Sequence, residues 1–189
     1  RTVFFVDAAH FVFGAFLGFV WCFTRPFIKS PSGRQRFNIL GALNAVTHEF
    51  ISVSNETYIN AESVCELLYK IAALNLSTPV TLILDNARYQ KCKLVSDLAK
   101  SLSIEMLYLP AYSPNLNLIE RLWKFVKKKC LYSKYYSDFP GFKLAISDLL
   151  TTASVTYKQD LDSLLTWKFQ TFHKDQLTTN YGQLRKHGL

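Results

Sequence analysis

Two hydrophobic periods alternate along the chain. Short runs of β-branched and aromatic residues at 3–13, 16–23, 37–43, 50–53, 80–84 and 104–108 predict strands. Between the later runs the apolar positions recur every three or four residues, which predicts helices at 61–74 and 91–102. In the first of these, Val64, Leu67, Leu68, Ile71 and Ala72 share one face, and Asn60 stands where a cap is needed. A further helix follows the turn punctuated by Pro110 and Pro114, with Asn115 or Asn117 as its expected cap. Its apolar face is Leu118, Ile119, Leu122, Phe125 and Val126, which leaves Glu120, Lys124, Lys127 and Lys128 on the more exposed side. Beyond a polar and aromatic link at 132–138, shorter helices are predicted at 142–152 and 160–165, and the basic stretch 178–189 reads as a tail. The early strands read as an antiparallel meander and the later ones alternate with helices, so the expected class is α/β with a mixed central sheet flanked by helices.

Composition narrows this. A chain of 189 residues that is 49% hydrophobic and 15% aromatic can fill one sizeable core. One domain is expected, with 1–135 as its core and 136–189 as a helical extension and basic tail. A formal charge of +8 favours a polyanionic partner, nucleic acid above all. Cys22, Cys65, Cys92 and Cys130 are far apart, with no paired Cys-x-x-Cys and no histidine at zinc-finger spacing. They are expected to be reduced and packed rather than zinc ligands or a disulfide framework. The apolar stretch 3–23 imitates a membrane span, but an aspartate costs about 2.5–3.5 kcal/mol at the centre of a membrane helix. Asp7 therefore argues against a span, and Gly14 and Gly18 break the stretch into two strands. No membrane partner and no targeting segment are expected. The chain opens on Arg1, as a piece of a longer protein would.

Three carboxylates change the picture most. Asp7 interrupts the run Val3-Phe4-Phe5-Val6, and Asp85 closes Val80-Thr81-Leu82-Ile83-Leu84, so each lies in or at the end of a strand that should be buried. A buried carboxylate without a partner costs several kcal/mol. Either each acid finds its own hydrogen-bond donors, or Asp7, Asp85 and Glu120 converge on divalent cations that neutralise them; the order strand, strand, helix favours convergence. Glu120 alone has a plainer account, since a carboxylate in the first turn complements the helix dipole.

Asp7, then Leu84-Asp85-Asn86-Ala87, then Leu109-Pro110-x-Tyr112-Ser113-Pro114-x-x-Asn117-x-Ile119-Glu120 resemble the DDE catalytic domain of bacterial insertion-sequence transposases related to the mariner superfamily. The 34 residues between Asp85 and Glu120 agree with that group's spacing. Leu118 stands where the family often has proline, and Gln90 where a histidine commonly follows Asp-Asn-Ala. The resemblance implies a ribonuclease-H-like fold, whose element order is the one read from periodicity. It also implies two magnesium or manganese ions held by Asp7, Asp85 and Glu120, with cleavage of DNA at transposon ends followed by strand transfer. The implied partners are double-stranded DNA, both transposon ends and target, and a second copy in a dimeric synaptic complex. A bacterial cytoplasmic, nucleoid-associated location goes with them. Two rivals remain at this level: a ribonuclease-H-like nuclease without strand transfer, and an idle nucleic-acid-binding descendant.

The other candidates have two readings each. Arg121, Lys124, Lys127 and Lys128 either grip phosphates beside the site or form a solvated face. Asn86 either supports the site by orienting water or phosphate, or is a turn residue chosen for local hydrogen bonds. Arg88, Lys91 and Lys93 read as solvated, Trp123 and Trp167 as core. His10, three residues past Asp7, should face the other side of its strand.

Overall fold

The computed structural model describes residues 1–14, 35–110 and 113–169. Five strands, β1 (Thr2–Val12), β2 (Arg36–Asn44), β3 (Phe50–Asn55), β4 (Val80–Leu84) and β5 (Ile104–Tyr108), form one sheet in the order β3-β2-β1-β4-β5. The pairs β1–β2 and β2–β3 are antiparallel, and β1–β4 and β4–β5 are parallel. This is the expected mixed sheet of meander and parallel strands. The strand expected at 16–23 and the tail at 178–189 lie outside the described residues, and β1 takes β2 as its direct antiparallel neighbour, with the Phe13 amide donating to the Gln35 carbonyl at 2.9 Å.

Side-chain alternation along β1 sorts the molecule into two layers. Phe5, Ala9, Phe11 and Phe13 join one cluster with helices α3 (Ile119–Cys130), α4 (Phe139–Thr156) and α5 (Lys158–Leu164). Phe4 and Val6 join the other, with helices α1 (Ala61–Ala72) and α2 (Lys93–Ser101). Helices thus cover both faces, as parallel strands buried on both sides require. Asn60 caps α1 as expected: its side chain accepts the Ser63 amide at 3.0 Å, and Ser63 answers with a hydroxyl near the Asn60 amide. Helix α4 begins earlier than apolar spacing predicts, because Asp138 accepts the Gly141 amide at 2.7 Å and Pro140 suits a first turn. Before α2, Arg88–Gln90 form a separate single turn, so that helix starts at Lys93 rather than 91.

At the amino end of β1 the register with β4 is pinned by side chains. Thr2 and Thr78 hydroxyls meet at 2.6 Å, and Arg1 donates to the Thr81 hydroxyl, which itself donates to Glu105 on β5 at 2.8 Å. Arg1 and Glu105 also form an ion pair. No helix among the described residues is long and apolar enough to cross a membrane.

Candidate active site

Parallel pairing of β1 with β4 ends at Val6 opposite Leu84, so Asp7 and Asp85 follow at the same level on adjacent strands. By alternation both belong to the face covered by α3, the layer of Phe5 and Ile83. Helix α3 approaches that end of the sheet with Glu120 as its second residue. All three carboxylates are half-buried. Burial pushes the Asp7 carboxyl up to about 7; the negative charges of Glu120 and Asp85 add to this, while the Ala8 amide and the Trp123 indole oppose it. Tyr89, in the turn after Asp85, has its phenol raised first by burial and then by Asp7 and Asp85. One strand end therefore gathers the negative charge of three elements.

Two neutral donors reach into this cluster. Trp123 is 3% exposed, and its indole N–H donates to Asp7 Oδ2 at 3.0 Å. Asn117 is 1% exposed, and its amide nitrogen donates to Asp85 Oδ1 at 3.2 Å and to the Val6 carbonyl at 3.3 Å. Asn117 therefore is not the helix cap expected of it: Leu118 holds that position, with no side-chain cap bond. Trp123 is core as expected, with the edges of Phe11 and Phe50 against it at 6.1 and 5.6 Å, but its bond to Asp7 is new. Gly41, opposite Asp7 on β2, makes room for these rings. A Cβ there would lie 2.4 Å from Phe50 ring atoms and 3.1 Å from Trp123.

Residues 2–143 match the family model described as DDE superfamily endonuclease. The chain belongs to the DDE endonuclease superfamily. No curated protein sequence matches it. Among solved structures, this DDE endonuclease is similar to the catalytic domain of Mos1 mariner transposase, with TM-score 0.59 and 14% identity over 86% of this chain and 76% of that one. It is similar to the HTLV-2 integrase catalytic core in complex with magnesium, with TM-score 0.52 and 14% identity over 79% and 83%. For the Mos1 strand transfer complex the values are 0.58 and 16%, over 87% of this chain and 51% of that one. The chain thus spans about half the length of the chain matched in that complex. At these identities the likeness is one of fold: the ribonuclease-H-like fold of transposase and integrase catalytic domains.

On the DDE endonuclease, Lys124, Lys127 and Lys128 are exposed and follow Glu120 at four, seven and eight residues, which places them on the same helix stripe. Arg121 departs from the expectation that grouped it with them. Its guanidinium donates to the carbonyls of Leu164, Thr166 and Lys168 at 3.1, 2.8 and 2.6 Å and stacks on Phe169, so it fastens the segment after α5 to α3. Lys129 is likewise occupied, over the Tyr157 ring and 3.8 Å from Asp160. Asn86 is exposed, and Asn117 rather than Asn86 contacts Asp85. His10 lies on the opposite face of β1, where its ring meets Asn38 at 2.7 Å. Trp167, read as core, is half-exposed at the edge of Phe5. Cys65, Cys92 and Cys130 are free thiols, and burial pushes that of Cys130 up to about 11.

The donor set suits a hard divalent cation: oxygen ligands only, with a carboxyl that burial and two neighbouring charges hold out of its ordinary range. Among the described residues no group of three or more such side chains is drawn tightly enough to hold an ion as it stands. A cation there would relieve the charge that Glu120 and Asp85 exert on Asp7.

Proposed function

We propose that this DDE endonuclease is the catalytic core of a DNA transposase that cuts phosphodiester bonds at transposon ends and joins the freed 3′-hydroxyl to target DNA. The observation that carries the reading is the level placement of Asp7 and Asp85 on adjacent parallel strands, with Glu120 close enough for its charge to act on Asp7. These three carboxylates are the ligands for two magnesium or manganese ions. When bound, such a pair supplies Lewis acidity to the scissile phosphate and charge stabilisation to the attacking and leaving oxygens. The chain's own part is to concentrate negative charge at one strand end, to exclude bulk water from one side of Asp7 with the Trp123 ring, and to keep the three elements in register. Lys124, Lys127 and Lys128 lead away from Glu120 along α3 over about 12 Å at 1.5 Å per residue, a track for the phosphates flanking the cut. Asn86, exposed beside Asp85, is left to contact phosphate or water.

The magnesium of the HTLV-2 integrase core and the strand transfer named for Mos1 support the cation and the second step. Two DNA ends held at once call for a homodimer. The element is a bacterial insertion sequence and its enzyme works on nucleoid DNA in the cytoplasm, with 1–135 as the core and 136–189 as its extension. The test gives the full-length polypeptide precleaved duplexes from the DNA flanking its own coding sequence, a target plasmid and magnesium. Joined products should form, and removing the terminal 3′-hydroxyl should abolish joining while leaving binding intact. Asp85→Asn and Glu120→Gln should abolish both cleavage and joining. Cleavage with no joined product under either cation, in a preparation that pairs its ends, would leave a simple nuclease.

A further inference from the structure

The segment that delivers Glu120 also holds the two strand acids. Asn117, Glu120 and Trp123 are spaced by three residues from the turn before α3 into the helix, and the Glu120 amide bonds the Asn117 carbonyl at 3.2 Å. Within that stretch the outer two side chains each take one oxygen of one aspartate: Asn117 takes Asp85 Oδ1, Trp123 takes Asp7 Oδ2. The second oxygen of each aspartate has neither of these donors on it. The Asn117 amide is oriented without ambiguity, because turning it over would set its carbonyl against two acceptors, Val6 O and Asp85 Oδ1. Its own oxygen is buried with no donor among the described residues. A buried amide that leaves its acceptor unmatched is poorly chosen for stability alone, and well chosen as a fixed donor to a carboxylate. Trp123 is held as firmly, wedged between Phe11 and Phe50 in the space that Gly41 leaves.

We propose that Asn117 and Trp123 are positioning residues for the cation site, each fixing one oxygen of a strand aspartate so that the other is presented beside Glu120. The inference rests on the reading of the three acids as cation ligands. Docking of the segment 117–123 then assembles the site in one event: it brings the third ligand and orients the first two. An indole N–H and an amide N–H are neutral, so they orient the carboxylates without supplying the positive charge that would compete with a cation, as Arg or Lys would.

The experiment measures manganese binding to the 189-residue chain by electron paramagnetic resonance, beside melting in chelator. Trp123→Phe keeps an aromatic ring and removes the donor with part of the indole's packing, a loss that the melting measurement reads; Asn117→Leu keeps the volume and removes both polar ends. Loss of such outer partners costs about tenfold or more in metal affinity, so each variant should bind manganese at least about tenfold more weakly than the parent. A merely structural role would lower the melting temperature and leave affinity alone. A second readout needs no variant of the clamp: the Trp123 indole resonance, assigned in the parent from its contacts with the Phe11 and Phe50 rings, should move when magnesium is added to the parent and stay still in Asp7→Asn. Should Trp123→Phe fail to fold, Asn117→Leu decides by its affinity. Folded variants with parental manganese affinity would overturn the positioning role while leaving the acids as ligands. A parent chain that binds no manganese would overturn the cation site itself, and this inference with it.

Discussion

Replacing Asp7 by Asn should stabilise the cation-free protein, and it should do so increasingly as pH rises from about 4 through about 7. The Asp7 carboxyl is pushed from 3.8 to about 7 in the folded state, so between those values the folded chain binds a proton that the unfolded chain has released. Its stability contribution is therefore greatest at low pH and declines as pH rises from about 4 through about 7. A carboxyl raised this far corresponds to roughly 4 kcal/mol, at about 1.36 kcal/mol per tenfold change in proton affinity, an upper limit because solvent screens a half-buried group. Asn keeps an oxygen for the Trp123 indole and carries no charge to desolvate. At about 2–4 °C per kcal/mol for a chain of this size, Asp7→Asn should melt several degrees higher than the parent at pH 8 in chelator. Near pH 5 the gap should narrow to less than half, since Asp7 is then protonated in the folded parent and only the ionisation of the unfolded carboxyl above 3.8 still counts against it. Adding magnesium at pH 8 should raise the parent more than the variant. The assay is thermal melting by circular dichroism at both pH values, with and without the cation. A variant that melts equally far below the parent at pH 5 and pH 8 would refute the argument, because that pattern marks lost packing rather than relieved charge.

Neutralising Lys124, Lys127 and Lys128 together should weaken DNA binding across sequences and flatten its salt dependence by about 0.9 in slope per lost phosphate contact; an unchanged slope in filter binding would return them to a solvated face. Arg121→Gln should release the segment after α5, with faster proteolysis near Thr166 and a loss of about 2–3 kcal/mol for the carbonyl bonds, while Lys124→Gln should do neither. Gly41→Ala should cost about 1–3 kcal/mol in denaturant unfolding, because its Cβ would meet the Phe50 ring; an unaffected midpoint would show that the ring can yield.

Strands and helices were readable because their side chains repeat with the period of the surface they bury. Asp7 and His10 stand three apart on one strand, and that odd spacing sends their side chains to opposite faces before any neighbour is known. His10 could be set aside for that reason. The start of α4 was also written in the chain, in Asp138 and Pro140, but capping is a local signal that apolar spacing overlooks. Asn117 illustrates what spacing cannot reveal. An asparagine at the head of a helix is ordinarily a cap, and only closure of the fold brings Val6 and Asp85, distant in sequence, to its amide. Trp123 and Arg121 are of the same kind. Both looked right for their helix face, yet each is committed to a group met across the tertiary fold, Asp7 in one case and the strap at 164–169 in the other.

The pairing of β1 with β4 has a consequence for how this chain tolerates change. Distance between its two aspartates is counted, not adjusted: a ladder offers whole-residue steps of about 3.3 Å, and each odd step also turns a side chain to the opposite face. The count begins at the far end, where Arg1, Thr2, Thr78, Thr81 and Glu105 interlock. Exchange of one apolar residue for another of similar volume between 3 and 6 should thus leave the count intact, whereas deleting a single residue there would carry Asp7 from the layer of α3 to that of α1. Spelling errors in this stretch can be forgiven; frame errors cannot.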